Sequence, residues 1–167
     1  MVMDPAVIER LRENSHIRLD REGRFWHEGE LVEHPRVAMA FHKGLGRAPD
    51  GRPTVTFGRT WCYIAAEGTL FQVRAAICSA STDGSLESCL LRLDDASEEP
   101  LSLQPGAVAV DAEGVLHVRV KEGREWARFA PAAQAELGRW AAVDPAGLIA
   151  LQTTQGALPI SLRLEAG

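Results

Sequence analysis

Residues 23–37, GRFWHEGELVEHPRV, place His27 and His34 among Glu28 and Glu33. An imidazole and a carboxylate that converge can hold a divalent metal or pass a proton as a general acid and base. The spacing works against convergence. If His27 and Glu28 are neighbours on a strand, their side chains leave opposite faces. Neither HExxH nor paired CxxC occurs. No metal and no cofactor are therefore expected, and no catalytic set is assigned. An apolar-face position two residues after Phe25 makes His27 a hydrogen-bonded core residue in this reading. His34 stands at or next to a helix N-cap before Pro35.

Binding chemistry has better candidates. Trp26 and Trp61 each follow or precede residues assigned to the opposite strand face, with Arg18, Arg24 and Arg59 near in sequence. Aromatic and arginine side chains supply much of the anchoring energy at interfaces. Trp26, His27, Arg59 and Trp61 form the candidate binding set. The competing structural role is that the tryptophans fill the space between sheet and helix.

The three cysteines, Cys62, Cys78 and Cys89, lack metal-ligand spacing. Cys62 alternates between Trp61 and Tyr63 and reads as a packed thiol. A two-residue turn at Asp83-Gly84 would set Cys78 opposite Cys89 at a hydrogen-bonded pair, where side chains stand further apart. That geometry, with a reducing compartment, favours free thiols.

Elements must position these groups. Asp4 before Pro5 reads as an N-cap and first-turn proline, opening a helix that ends near Asn14. HIRLDREGRFWHE alternates Ile17, Leu19, Phe25 and His27 against Arg18, Arg24 and Trp26, a hairpin with Gly23 in a left-handed bulge. A helix from Pro35, with the stripe Val37, Phe41 and Leu45, ends near Gly44 and Gly46, before the loop RAPDGRP. GLGRAPDG follows a helix, which removes it as a dinucleotide fingerprint. The segments TVTFG, TWCYIAAE, LFQVRAAICSA and LESCLLRL read as strands. DDASEEPLSLQPG, with four acids and two prolines, reads as a linker.

The chain then repeats itself. At an offset of 91, Asp20, Glu22 and Gly23 fall on Asp111, Glu113 and Gly114, while Ile17, Leu19 and Phe25 fall on Val108, Val110 and Leu116. Val118 takes the place of His27. A proline-started helix follows each hairpin, after about five more residues in the second copy, and strand-like LIALQTT and LPISLRLE come last. Turn chemistry and inward face match together, which indicates two copies of one unit, the first with an extra hairpin. The expected fold class is α+β: two related halves, residues 1–95 and 96–167, each a bent antiparallel sheet packed with one helix.

The run from IRLDREGRFWHEG through HPRVAMAFHKGL, APDGRP and TWCYIAAEGTLFQV resembles a bacterial family of uncharacterised proteins that carry a domain of unknown function. That family has a Gly-Arg-Trp hairpin, a helix and a Trp/Arg-x-Ile-x-x-Glu strand in this order. The similarity covers roughly residues 16–93, and the rest only through the repeated layout. It implies a tandem of pleckstrin-homology-like units and suggests a signalling or interaction role. FGRTWCY is more aromatic than the family's corresponding segment, so the family offers no site there.

Charge bounds the partners. The 18 basic and 23 acidic residues give net −5. Residues 1–60 hold 10 basic and 9 acidic residues, leaving net −6 for the remainder. Without a basic stripe no nucleic-acid partner is expected. An acidic start and the lack of about 18 consecutive apolar residues argue against a signal peptide and a membrane span, and for a soluble cytoplasmic protein. The functional expectation is a non-enzymatic binding module for a protein or small molecule. The alternative is a small-ligand or metal-binding enzyme using His27 with Glu28 or Glu33.

Overall fold

A computed structural model describes residues 4–163. The fold is α+β, and it divides into two compact units, residues 1–70 and 71–167. Among the described residues no helix is long and apolar enough to cross a membrane.

The first unit opens with α1 (Pro5–Glu13), capped by the Asp4 carboxylate, which accepts from Ala6 N at 2.9 Å. The strands β1 (Ile17–Leu19), β2 (Phe25–His27) and β3 (Glu30–Leu31) follow, then α2 (Pro35–Lys43). Next come β4 (Leu45–Arg47), β5 (Pro53–Phe57), β6 (Thr60–Tyr63) and β7 (Ala65–Ala66). They form two sheets, ordered β3-β2-β1-β7 and β4-β5-β6. Because β6 and β7 are separated only by Ile64, one stretch of chain serves both sheets and turns the corner between them.

Edge-to-face rings fill that corner. Phe25 of β2 meets Phe41 of α2 at 5.1 Å, and Phe41 meets Phe57 of β5 at 4.5 Å. Val37 and Leu45, expected on the same buried stripe as Phe41, lie outside the core: Val37 is exposed and Leu45 has already entered β4. Gly44 ends the helix without a left-handed φ. Its role is close approach, since a Cβ there would come within 2.2 Å of Thr56 O, while Thr56 N donates to Gly44 O at 2.9 Å.

The second unit begins with the long hairpin β8 (Phe71–Ala80) and β9 (Leu86–Leu93), then β10 (Glu98–Pro100), β11 (Val108–Val110), β12 (Leu116–Val120) and β13 (Glu125–Phe129). After α3 (Pro131–Gly138) come β14 (Ala141–Val143), β15 (Ile149–Thr153), β16 (Gly156–Pro159) and β17 (Ser161–Leu162). Leu164 and Glu165, read as the end of the last strand, lie outside the described residues. One sheet runs β14-β15-β9-β8-β13-β12-β11-β17, with β10 on β9 and β16 on β15. Buried Ala133 and Leu137 give α3 an apolar side, and the helix packs on β8.

The layout repeats in register. Ile17↔His27, Arg18↔Trp26 and Leu19↔Phe25 reappear 91 residues later as Val108↔Val118, Ala109↔His117 and Val110↔Leu116. Gly23 and Gly114 both have φ +81°, and Asp20 Oδ1 and Asp111 Oδ1 each accept two turn amides. Beyond the helices the offset is 96. Leu45↔Val55 becomes Ala141↔Leu151, and Val55↔Cys62 becomes Leu151↔Leu158. The parallel pair Leu19↔Ala66 becomes Val110↔Leu162.

The structure differs from several local expectations and adds pairings that they leave open. The sheets are mixed, because β1–β7, β11–β17, β8–β13 and β8's partner β9 with β15 include parallel pairs that hairpin signals cannot announce. The β8–β9 hairpin, attached to the first half at a boundary after residue 95, joins β13 to β15 within the second unit's sheet. DDASEEPLSLQPG is folded chain instead of a linker: β10 pairs with β9, Leu101 is buried, and Leu101 N donates to Cys89 O at 2.8 Å. The loop GLGRAPDG begins as β4.

A further difference concerns the cysteines. Ser81 N donates to Ser85 O and Gly84 N to Ser81 O, which makes a longer loop with Gly84 at φ +84°, and the ladder shifts between Ser79 and Ala80. Cys78 still faces Cys89. Yet the Cys89 carbonyl points to Leu101, away from β8. A strand residue sends its N–H and C=O to the same side, so Cys78 and Cys89 form a non-hydrogen-bonded pair, the closer kind.

Candidate functional site

Each turn aspartate organises a cluster. In the first unit, the Trp26 indole N–H donates to Asp20 Oδ2 at 2.9 Å, and Arg24 Nε reaches the same oxygen at 2.8 Å. Arg18 lies over the Trp26 ring at 5.0 Å and pairs with Glu67 at 2.5 Å. Burial pushes the Asp20 carboxyl up, but the hydrogen bonds from Trp26 and Arg24 outweigh it and hold it below the usual range.

The corresponding position in the second unit is His117. Its Nε2 donates to Asp111 Oδ2 at 3.0 Å, and Arg163 donates to its Nδ1 at 3.0 Å. Guanidinium has no acceptor, so Nδ1 accepts and the proton sits on Nε2: the ring is neutral. Burial is the main cause that lowers the His117 pKa, with Arg163 acting in the same direction against Asp111.

The candidate binding residues fall into two places. Trp26 and His27 are neighbours on β2; Arg59 lies in the turn before Trp61 on β6. Trp61 meets Tyr63 edge-on at 5.1 Å and carries Arg12 of α1 at 4.0 Å. Tyr63 Oη donates to Glu9 at 3.0 Å, under the Arg52 guanidinium at 3.7 Å. Trp61 thus anchors α1, which has no buried residue of its own.

His27 is exposed, against the core position expected for it. β2 stops there, at a turn through Glu28 (φ +50°) and Gly29 (φ +82°). In the second unit β12 runs on to Val120, and Val118, in the same register, is fully buried. A shorter hairpin exposes what a longer one covers. His34 is the N-cap residue of α2, though its side chain makes no capping bond. Among the described residues no group of three or more His, Cys, Asp and Glu side chains is placed to hold a metal.

A different site emerges in the second unit. Between the segment 99–107 and the β12–β13 turn lies a groove of about 730 Å³. Pro100, Pro105 and Ala107 give it an apolar wall; Arg119, Lys121 and Arg124 line it from the turn. Glu99 is spent internally, accepting Lys121 N at 3.0 and 3.2 Å. Lys121 Nζ is held by Asp95 at 2.6 Å and Ser97 at 2.9 Å. The turn is tight: Lys121, Glu122 and Gly123 all have positive φ, between +53° and +78°. Arg119 lies on the Trp126 ring at 4.1 Å, and Arg124 Nε donates to Lys121 O at 3.0 Å. Arg124 Nη2 also pairs with Glu122, exposed on the same turn, at 3.7 Å, so the guanidinium N–H groups that these contacts leave over are the groove's cationic donors.

In the sequence this groove is hidden, because one of its walls has the acids and prolines of a linker. The signal present was VRVKEGRE, where three basic residues flank a glycine turn within an otherwise acidic half.

No protein-family model matches the chain, and no curated protein matches it. Among solved structures the chain is similar to a DUF1285 family protein from Silicibacter pomeroyi DSS-3, at 15% identity and a TM-score of 0.67, over 87% of this chain and 79% of that one. It is also similar to a DUF1285 family protein from Shewanella baltica OS155, at 9% identity and a TM-score of 0.49, over 75% of this chain and 92% of that one. The likeness to the first, at that identity, is a likeness of fold.

Proposed function

We propose that the protein is a binding module built from two copies of one pleckstrin-homology-like unit, and that the groove in its second unit takes a small organic anion with a carboxylate or phosphate group. The duplication is supported by the recurrence of strand registers at offsets of 91 and 96. The binding role rests on one observation: a groove of about 730 Å³, within the range of small-molecule sites, lined by Arg124 and by Arg119, whose guanidinium lies over the Trp126 ring at 4.1 Å. A guanidinium immobilised on a ring has lost much of its rotamer freedom before any ligand arrives. Its planar fork then suits a two-oxygen anion.

Melting of the full chain with phosphate, pyrophosphate and a series of di- and tricarboxylates tests this. At least one of these anions is expected to raise the melting temperature. Arg119→Ala and Arg124→Ala should each weaken its binding roughly tenfold or more. The proposal fails if none of the anions shifts the transition, or if both variants bind as well as the unaltered protein.

A further inference from the structure

The β8–β9 hairpin carries a second, independent chemistry. Cys78 and Cys89 face each other at a non-hydrogen-bonded pair, where cross-strand side chains approach most closely. Their sulfurs are 2.8 Å apart, which leaves a small movement to the disulfide bond length of about 2.05 Å. The two thiols are unequal. Cys89 is buried, whereas Cys78 is partly exposed.

We propose that Cys78 and Cys89 are a redox-active dithiol that low-molecular-weight disulfides oxidise reversibly to a cross-strand disulfide between β8 and β9. Cys78 is the attacking sulfur. The hydrogen bond with Cys89 lowers its pKa, and Arg139 at the end of α3 acts in the same direction against burial and Glu136. The same contact raises Cys89, which keeps its proton until the second step. The thiolate is the nucleophile in exchange.

The chemistry balances. Cys78 thiolate attacks one sulfur of the external disulfide, its S–S bond breaks, and one small thiolate leaves and takes a proton from solvent. Cys89 loses its proton to solvent and attacks the Cys78 sulfur of the mixed disulfide, expelling the second small thiol. Two protein thiols are oxidised, and one small disulfide is reduced to two thiols. Cys62 takes no part: burial raises its pKa. The bond would lock the hairpin that joins β13 to β15, so the redox state of these sulfurs sets the rigidity of the middle of the sheet.

The test uses the reduced full chain with oxidised glutathione, followed by denaturation and thiol counting. The three thiols should fall to one, with a mass loss of two hydrogens and a peptide linking Cys78 to Cys89. Dithiothreitol should restore all three. In Cys89→Ser, a glutathione adduct should accumulate on Cys78. Cys62→Ser should lose both remaining thiols with the same mass change, which keeps the test decisive if the Cys89 variant folds poorly. Three thiols persisting in the unaltered chain would overturn the proposal, as would a bond involving Cys62, a bond between chains, or a stable adduct on Cys78 while Cys89 is present.

Discussion

Asp94 and His117 are buried in the second unit with charge states moved by the same cause and opposite consequences for stability. Burial pushes the Asp94 carboxyl up to about 6, despite a backbone amide from Gln72 and the Arg74 guanidinium 4.0 Å away. Its folded pKa is raised, so its contribution favours the fold below about 4 and is lost as pH rises through about 6. Asp94→Asn keeps an acceptor for Gln72 N and removes the buried charge. It should stabilise the protein at pH 8 by up to about 3 kcal/mol, and by little at pH 4, as urea titrations at the two pH values would show. His117 works the other way. Its folded pKa is lowered below 6.5, so its contribution is present above that value and is lost as pH falls below it, when the unfolded chain takes up the proton first. His117→Gln should flatten the loss of stability between pH 6.5 and pH 5, measured by the same titrations. Between about pH 4 and 6.5 the two residues oppose each other, so each single variant should show a steeper or shallower pH profile than the unaltered chain.

At the scale of elements, the hairpins β1–β2 and β11–β12 are one design used twice. Each has an aspartate that accepts two turn amides with Oδ1 and a ring N–H with Oδ2, from Trp26 in one and His117 in the other, and in the first Arg24 Nε shares that oxygen. Each has a glycine at φ +81°, a conformation in which a Cβ is disfavoured. Gly23→Ala and Gly114→Ala should therefore each destabilise by about 1 kcal/mol, and by similar amounts, which thermal melts of the two variants would check. A large inequality would show that the two turns carry different strain despite a common register. These hairpins, the Asp4 cap and the three proline-started helices are legible in the sequence because their signals are local: a side chain speaks for a turn within four residues. The strands β4 and β14 are not, since LGR and AAV have no period of their own and exist only because β5 and β15 lie beside them.

For the molecule as a whole, the position of the β8–β9 hairpin decides what can stand alone. In the second unit β8 pairs with β13 and β9 with β15, so without them the sheet falls into two unconnected pieces. A fragment of residues 71–167 should unfold cooperatively on heating. A fragment of residues 96–167, the boundary suggested by composition, should not, because it exposes the long edges of β13 and β15 and the apolar side of α3. Circular dichroism melts of both fragments would distinguish these outcomes. The acidic segment between β9 and β11 misleads in the same way: its charges and prolines look like a linker, yet Asp95, Ser97 and Glu99 are spent on Lys121 and its backbone.

What the sequence by itself determined was the two hairpins β1–β2 and β11–β12: alternation, a turn glycine and a turn aspartate fix each of them, and those are preferences of neighbouring residues for particular dihedrals and faces. Only tertiary structure decided which strands meet in parallel, that Cys78 and Cys89 lie at a close pair, that His27 is exposed where Val118 is buried, and that a groove opens beside Arg119. Each of these depends on a partner distant along the chain, or on a parity that one bulge reverses. Local preferences say which way a side chain turns, but not what will be there when it arrives.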